Sequence, residues 1–254
     1  KRYLPKNSDR SSAIVLAASR GDELGELTDD KPKTMVNIRG VPLLSHIADA
    51  YNSVGIKDIV VVRGYKKEAV NLPSLHYVDN DKFADTGELF SLSVGLQGKR
   101  SQNQVTIISY GDVLFNTYIP QALLQTKDDF VIFVDSDWKD KTSYNRLGGF
   151  AECTAPNSRR AFNTQIALKQ MGPSLPPEKI HGVWMGFLKV SASGLASLQE
   201  VLSEMLKNPA NEKATMGSLL EDMLRRGYSI RVLYTLGHWL DINSLDDVVQ
   251  AGSF

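Results

Sequence analysis

One cysteine, Cys153, stands in a chain of 254 residues, which excludes an internal disulfide or a cysteine-built metal cluster and leaves that side chain as a small apolar one for the core. Neither sign of charge is in excess. Lys plus Arg and Asp plus Glu each number 29, and no basic stripe interleaves with aromatics, which argues against nucleic acid as a partner. Long apolar runs are missing too. The longest are strand-sized, and the opening "KRYLPKNSDRSS" is too polar for a signal peptide or anchor, so no membrane attachment and a soluble, cytoplasmic protein are expected. That opening lacks an initiator Met and is rich in Lys, Arg, Asn, Ser and Pro, so residues 1–12 read as a linker or N-terminal arm. Several motifs are absent as well. No G-x-G-x-x-G follows a strand, no G-x-x-x-x-G-K-[ST] occurs, and no G-x-S-x-G is present, which excludes the dinucleotide fingerprint, the P-loop and the serine-hydrolase elbow. His46, His76, His181 and His238 lack zinc-site spacing, and His46 lies on a helix face as a structural residue.

What is present is an alternation. Apolar runs at 13–18, 58–64, 104–110 and 129–137 read as strands, and the segments 42–55, 87–98 and 118–126 between them carry helical periodicity. Strands without polar alternation, separated by helices, predict a parallel sheet buried on both faces, a doubly wound α/β fold that binds ligands at the carboxyl ends of its strands. After about residue 140 the pieces shorten and a Pro-rich break, "GPSLPPEK", follows, which predicts a small capping region. A strand at 182–190, helices near 192–207 and 215–227, the strand "SIRVLYT" and a last helix after "LDIN" complete a single domain over 13–254.

The first strand runs into a long polar loop, "AIVLAASRGDELGELTDDKPKTMV", where small residues and glycine let backbone N–H groups approach a phosphate. Leu16, Ala17, Ala18, Ser19, Arg20 and Gly21, then Leu27, Thr28, Pro32, Lys33, Gly40, Pro42 and Leu43, follow the order of the signature L-A-A-G-x-G-x-R, L-T, P-K and G-x-P-L. In this the chain resembles the nucleotidyltransferases that couple a nucleoside triphosphate to a phosphorylated small molecule and release pyrophosphate. Ser19 stands at the family's first glycine and Glu23 at its arginine, so Arg20 is the expected replacement cation beside Lys33. With "VVRGYKKE" and "GDVLF", the pattern is most similar to the cytidylyltransferase domains of phosphonate biosynthesis, some fused behind a phosphoenolpyruvate mutase domain, and to bacterial phosphocholine cytidylyltransferases.

The resemblance implies a Rossmann-like, mostly parallel nucleotidyltransferase sheet, CTP and a small phosphonate as partners, and Mg²⁺ as cofactor. It places Lys33 and Arg20 in catalysis, and Leu16, Ala17, Ala18, Ser19, Gly21, Thr86, Gly87 and Ser91 at the nucleotide. Asp112 and Asp241 become the metal ligands, with Asn243 as a neutral oxygen beside them. Asp241 also reads as a carboxylate ahead of a helix capped by Ser244, and Thr86 as an ordinary helix cap. Asp137, Trp138, Tyr144 and Arg146 are expected toward the acceptor, and Arg159, Arg160, Lys169, Lys66 and Lys67 are further candidate cations. Three other readings remain open. "VDSD" offers Asp135 and Asp137 as a glycosyltransferase-type metal pair, a phosphocholine or sugar-1-phosphate acceptor fits the same fold, and the departures at Ser19 and Glu23 fit a non-catalytic nucleotide-binding module.

Overall fold

A computed structural model describes residues 11–138, 149–159 and 165–254. In chain order the elements are β1 (Ser11–Ala17), a hairpin of β2 (Asn37–Ile38) and β3 (Val41–Pro42), α1 (Leu43–Ser53), β4 (Asp58–Arg63), β5 (His76–Asp79) and α2 (Glu88–Gln97). Next come β6 (Val105–Tyr110), β7 (Val113–Phe115), α3 (Tyr118–Gln125), β8 (Phe130–Asp135), β9 (Phe150–Cys153) and β10 (Leu168–Met171). The remainder is β11 (Gly182–Val190), α4 (Gly194–Leu206), α5 (Met216–Arg225), β12 (Ile230–Thr235), β13 (Trp239–Asp241) and α6 (Leu245–Ala251).

Because every residue of β1 is buried, this strand must lie inside the sheet. It pairs in parallel with β4 on one side and β6 on the other, and β4 continues in parallel to β5. The chain thus leaves β1 for one edge and returns to its opposite side, which makes the carboxyl end of β1 the switch point where this class of sheet opens a crevice. Beyond β6 runs the antiparallel β11, against which β8 and β9 pair, and β12 lies parallel to β8. Alternate β1 residues feed two cores. Ala13 and Val15 pack with α1 and α3, while Ile14 and Leu16 pack with α2, α4 and α5. Each fully buried Ile or Leu here contributes about 1.5–3 kcal/mol over an exposed one.

The structure extends β1 two residues ahead of the predicted start, because Ser11 and Ser12 still pair with β6 and Ser12 with Asp58. These two residues therefore belong to the strand and not to the arm. β9 and β10 form an antiparallel pair at the sheet edge, in the region expected to cap. Among the described residues, no helix is long and apolar enough to cross a membrane.

Asp135, at the end of β8, is fully buried. Its Oδ1 accepts from the backbone N–H groups of Asp137 and Gly237, each at 3.0 Å, and its Oδ2 from the Trp239 indole at 2.8 Å. The carboxylate ties β8 to the turn between β12 and β13, so the reading of Asp135 with Asp137 as a metal pair is corrected: its oxygens already serve protein donors. Asp135→Ala takes the acceptor from two buried donors and should lower stability by about 3 kcal/mol, seen as a fall in urea midpoint at unchanged m-value.

Candidate functional site

The loop after β1 is shaped by its own backbone. Gly21 adopts φ 83°, and a Cβ there would lie 2.6 Å from Lys33 Cβ, so only glycine allows the two stretches to touch. The buried Thr28 hydroxyl donates to the carbonyls of Gly21 and Gly25 at 3.1 and 3.0 Å, and the Lys33 N–H donates to Arg20 O at 3.0 Å. This fold-back delivers Lys33, 4% exposed, under the carboxyl end of the sheet. Its ammonium donates to Asn243 Oδ1 at 2.7 Å, meets Asp112 Oδ2 at 2.8 Å and contacts Glu23. Burial alone would push the ammonium's pKa down, but the Asp112 and Glu23 carboxylates outweigh it and hold the pKa above its ordinary value.

Asp112 reaches the site because the chain leaves β6 at Gly111, whose N–H donates to Leu16 O at 2.8 Å. The antiparallel β7–β13 pair brings Asp241 alongside, with the Ile242 N–H donating to Asp112 O at 3.0 Å. Asn243 is fixed from behind. Ser244 caps α6 as expected, and Asp247 closes the box by accepting from Asn243 N at 2.9 Å and the Ser244 hydroxyl at 2.8 Å. The Asn243 amide in turn contacts Asp241 Oδ2. Burial, and then the charge of Asp112, push the Asp241 carboxyl up to about 7 against the pull of Lys33. Asp241 Oδ1 is buried without a hydrogen bond. An orphaned carboxylate oxygen beside a second carboxylate is a hard-oxygen donor set, which fits Mg²⁺, an ion that takes one or two protein carboxylates and completes its shell from phosphate and water. Among the described residues no group of three or more His, Cys, Asp or Glu forms a protein-only cage.

These residues open onto a cleft of about 630 Å³ whose wall includes Leu16, Ala18, Ser19, Lys33, Thr86, Gly87, Ser91, Asp112 and Asp241. Gly87, not Thr86, is the N-cap of α2. A Cβ on Gly87 would lie 2.6 Å from the Lys213 carbonyl carbon, so the absent side chain lets the stretch before α5 close over the cleft. The Thr86 hydroxyl instead donates to Lys82 O at 2.8 Å, and the buried Asn80 amide donates to both Thr86 and Ser91. Ala17 faces the opposite core.

Arg20 is not brought to the cleft. Its guanidinium pairs with Asp22 at 3.1 Å and Asp29 at 2.8 Å and lies 5.5 Å from the Tyr65 ring centre. Asp137 is exposed, and Trp138 packs on Phe150 with ring centres 5.5 Å apart; neither lines the cleft. Tyr144, Arg146 and Arg160 lie outside the described residues. Lys67 pairs with Asp79 and Asp81, Lys169 with Glu152, and the His46 ring contacts Ile38 O at 2.8 Å. Cys153 is buried and free. The structure adds residues that the motifs did not single out: Glu88, Tyr110, Thr215 and Ser218 also line the cleft. The Glu88 Oε2 accepts from the Tyr110 hydroxyl at 2.7 Å and the Met216 N–H at 2.8 Å.

Residues 13–167 match the MobA-like NTP transferase domain, and the chain belongs to that nucleotidyltransferase family. It is 24% identical over 250 residues to the CTP:phosphoglutamine cytidylyltransferase of Campylobacter jejuni, across 93% of this chain and 97% of that one. It is 30% identical over 119 residues to the CMP-5'-(3-aminopropyl)phosphonate synthase of Streptomyces rubellomurinus, a match that spans 44% of this chain and 18% of that protein. The solved CTP:phosphocholine cytidylyltransferase of Streptococcus pneumoniae shares the fold, with a TM-score of 0.70 at 16% identity over 96% of this chain and 98% of the other.

Since the folded state holds the Asp241 proton up to about pH 7, against an ordinary value of 3.8, ionising this group costs stability as pH rises through that window. Asp241→Asn should therefore stabilise the metal-free protein at pH 8 by an amount on the order of 2 kcal/mol, and the gain should vanish at pH 4. Urea unfolding in EDTA at both pH values checks this.

Proposed function

We propose that the chain is a Mg²⁺-dependent cytidylyltransferase that transfers CMP from CTP to a small phosphonate and releases pyrophosphate. The observation that carries this reading is the convergence of Lys33, Asp112 and Asp241 at the switch point of the sheet. A triphosphate and an anionic acceptor repel by roughly 3 kcal/mol for each pair of unit charges about 5 Å apart at an effective dielectric of about 20. Lys33 offsets part of that, and its raised pKa keeps the charge in place at neutral pH.

In this assignment the small residues Ala18 and Ser19 let the phosphates approach the loop, while Thr86, Gly87 and Ser91 face the nucleoside. Asp112 and Asp241 would hold Mg²⁺, which when bound supplies positive charge to the phosphate oxygens. The acceptor oxygen attacks the α-phosphorus in line, the bond from that phosphorus to the bridging oxygen breaks, and the electron pair leaves with pyrophosphate. The amide of Asn243 accepts from Lys33 and contacts Asp241, so it keeps the cation and the carboxylate in register during transfer. Support for CTP and for a phosphonate or phosphate acceptor comes from the relatives' activities.

The test is pyrophosphate release from CTP and Mg²⁺ with 2-aminoethylphosphonate, 2-hydroxyethylphosphonate, phosphocholine and glucose 1-phosphate in parallel. Release with a phosphonate is expected, and Asp112→Ala or Lys33→Met should cut kcat by about 10²–10³ or more with the circular dichroism spectrum unchanged. Release with the sugar phosphate alone would overturn the acceptor assignment. CTP binding without release from any acceptor would overturn the catalytic one.

A further inference from the structure

Among the described residues five charged side chains line the cleft: Glu23, Lys33, Glu88, Asp112 and Asp241. Four of them account for one another or for a metal. Lys33 contacts Glu23 and Asp112, and the Asp112 and Asp241 carboxylates would hold Mg²⁺ in the proposed reading. Glu88 is left over. It has no cation partner among the described residues, and burial, with a contribution from the charge of Asp112, holds its carboxyl above the usual range.

Its position is nevertheless fixed. The Tyr110 hydroxyl and the Met216 N–H both donate to Oε2, which pins the carboxylate between the exit of β6 and the first turn of α5. Oε1 carries no hydrogen bond within the described protein, on a side chain that lines the cleft. The neighbouring wall is made by the Thr215 and Ser218 hydroxyls, 3.2 Å apart, and so belongs to the start of α5. Thr86 and Ser91, assigned to the nucleoside, are held by Asn80, whereas Glu88 is held by Tyr110 and Met216. A positioned carboxylate oxygen without a partner attracts a cationic donor, and a charge-assisted hydrogen bond to an ammonium is the strongest pairing open to it.

We propose that Glu88 is a specificity-determining residue that accepts a hydrogen bond from a primary ammonium on the acceptor, so that the enzyme prefers aminoalkylphosphonates over their neutral hydroxyl counterparts. This rests on the cytidylyltransferase reading above and adds the charge of the acceptor's far end. A phosphonate that also carries an ammonium brings its own compensation into a cleft where, among the described residues, carboxylates outnumber cations.

The test compares 2-aminoethylphosphonate with 2-hydroxyethylphosphonate, which differ by NH₃⁺ against OH, in the wild type and in Glu88→Gln. Glutamine keeps an acceptor for Tyr110 and Met216 while removing the charge. Wild type should prefer the amine, and E88Q should lower the amine-to-hydroxyl ratio of kcat/KM about ten- to hundred-fold with KM for CTP little changed. An equal loss for both acceptors, or a rise confined to KM for CTP, would overturn the proposal in favour of a structural or ribose contact. If E88Q does not fold, the wild-type ratio decides, and a preference for the hydroxyl acceptor would sink the idea. Calorimetric binding of both acceptors, with a non-hydrolysable CTP analogue present, separates the two levels of inference. Glu88-dependent amine binding without pyrophosphate release would leave this assignment standing and the catalytic one fallen. Release without amine preference would do the reverse.

Discussion

A single buried ammonium holds the site together. Lys33 joins three stretches that are distant in sequence: its own loop through Glu23, the exit of β6 through Asp112, and the segment before α6 through Asn243. A charge this deeply buried costs several kcal/mol when its partners are removed, so none of the three stretches can shift independently. Each is also aimed by a backbone contact of its own: Lys33 N to Arg20 O, Gly111 N to Leu16 O, and Asn243 N to Asp247. Local hydrogen bonds set the directions, and the ammonium turns three directions into one site.

The same cleft carries a deliberate conflict. Asp241 is buried, repelled by Asp112 and left with one oxygen unbonded. An arrangement of that kind survives because the surrounding sheet over-determines it, and such sites are where functional chemistry collects. The two cores on either side of β1 provide that rigidity. Asp135, at the end of β8, shows the opposite design: a buried carboxylate whose oxygens serve backbone and indole donors. Each is the last residue of its strand, and their partners alone distinguish the anchored carboxylate from the one left with an unbonded oxygen.

That distinction explains what the sequence could and could not reveal. The central strands were legible because apolar runs without alternation have one stable home, a sheet covered on both faces. Lys33, Asp112 and Asp241 were legible through the order of motifs, which reports the shared fold. The two- and three-residue strands β2, β3, β7 and β13 carried no periodicity to read, although the last two set the approach of Asp112 to Asp241. The placement of Arg20 was illegible for another reason. Its partners Asp29 and Tyr65 are set by how the loop folds, and Tyr65 reaches the loop because its N–H donates to Ala18 O after β4. Glu88 looked like an ordinary first-turn glutamate until Met216, 128 residues away, was seen to donate to it.

The exchange of charges in the first loop then acquires a physical sense. Arg20 is occupied by Asp22 and Asp29, and Glu23 sits on the ammonium. Lys33 is therefore the one cation lining the cleft among the described residues, and it already has three partners. These partners are not equal, because the Glu23 side chain is 41% exposed against 24% for Asp112, and Asn243 is buried. Releasing Glu23 returns a carboxylate to water at little desolvation cost, whereas releasing either of the others strands a polar group inside. An incoming phosphate thus has one partner to displace and two that hold the ammonium in position for it. The loop needs no second cation to keep Lys33 aimed, since the buried pair Asp112 and Asn243 does so before any ligand arrives.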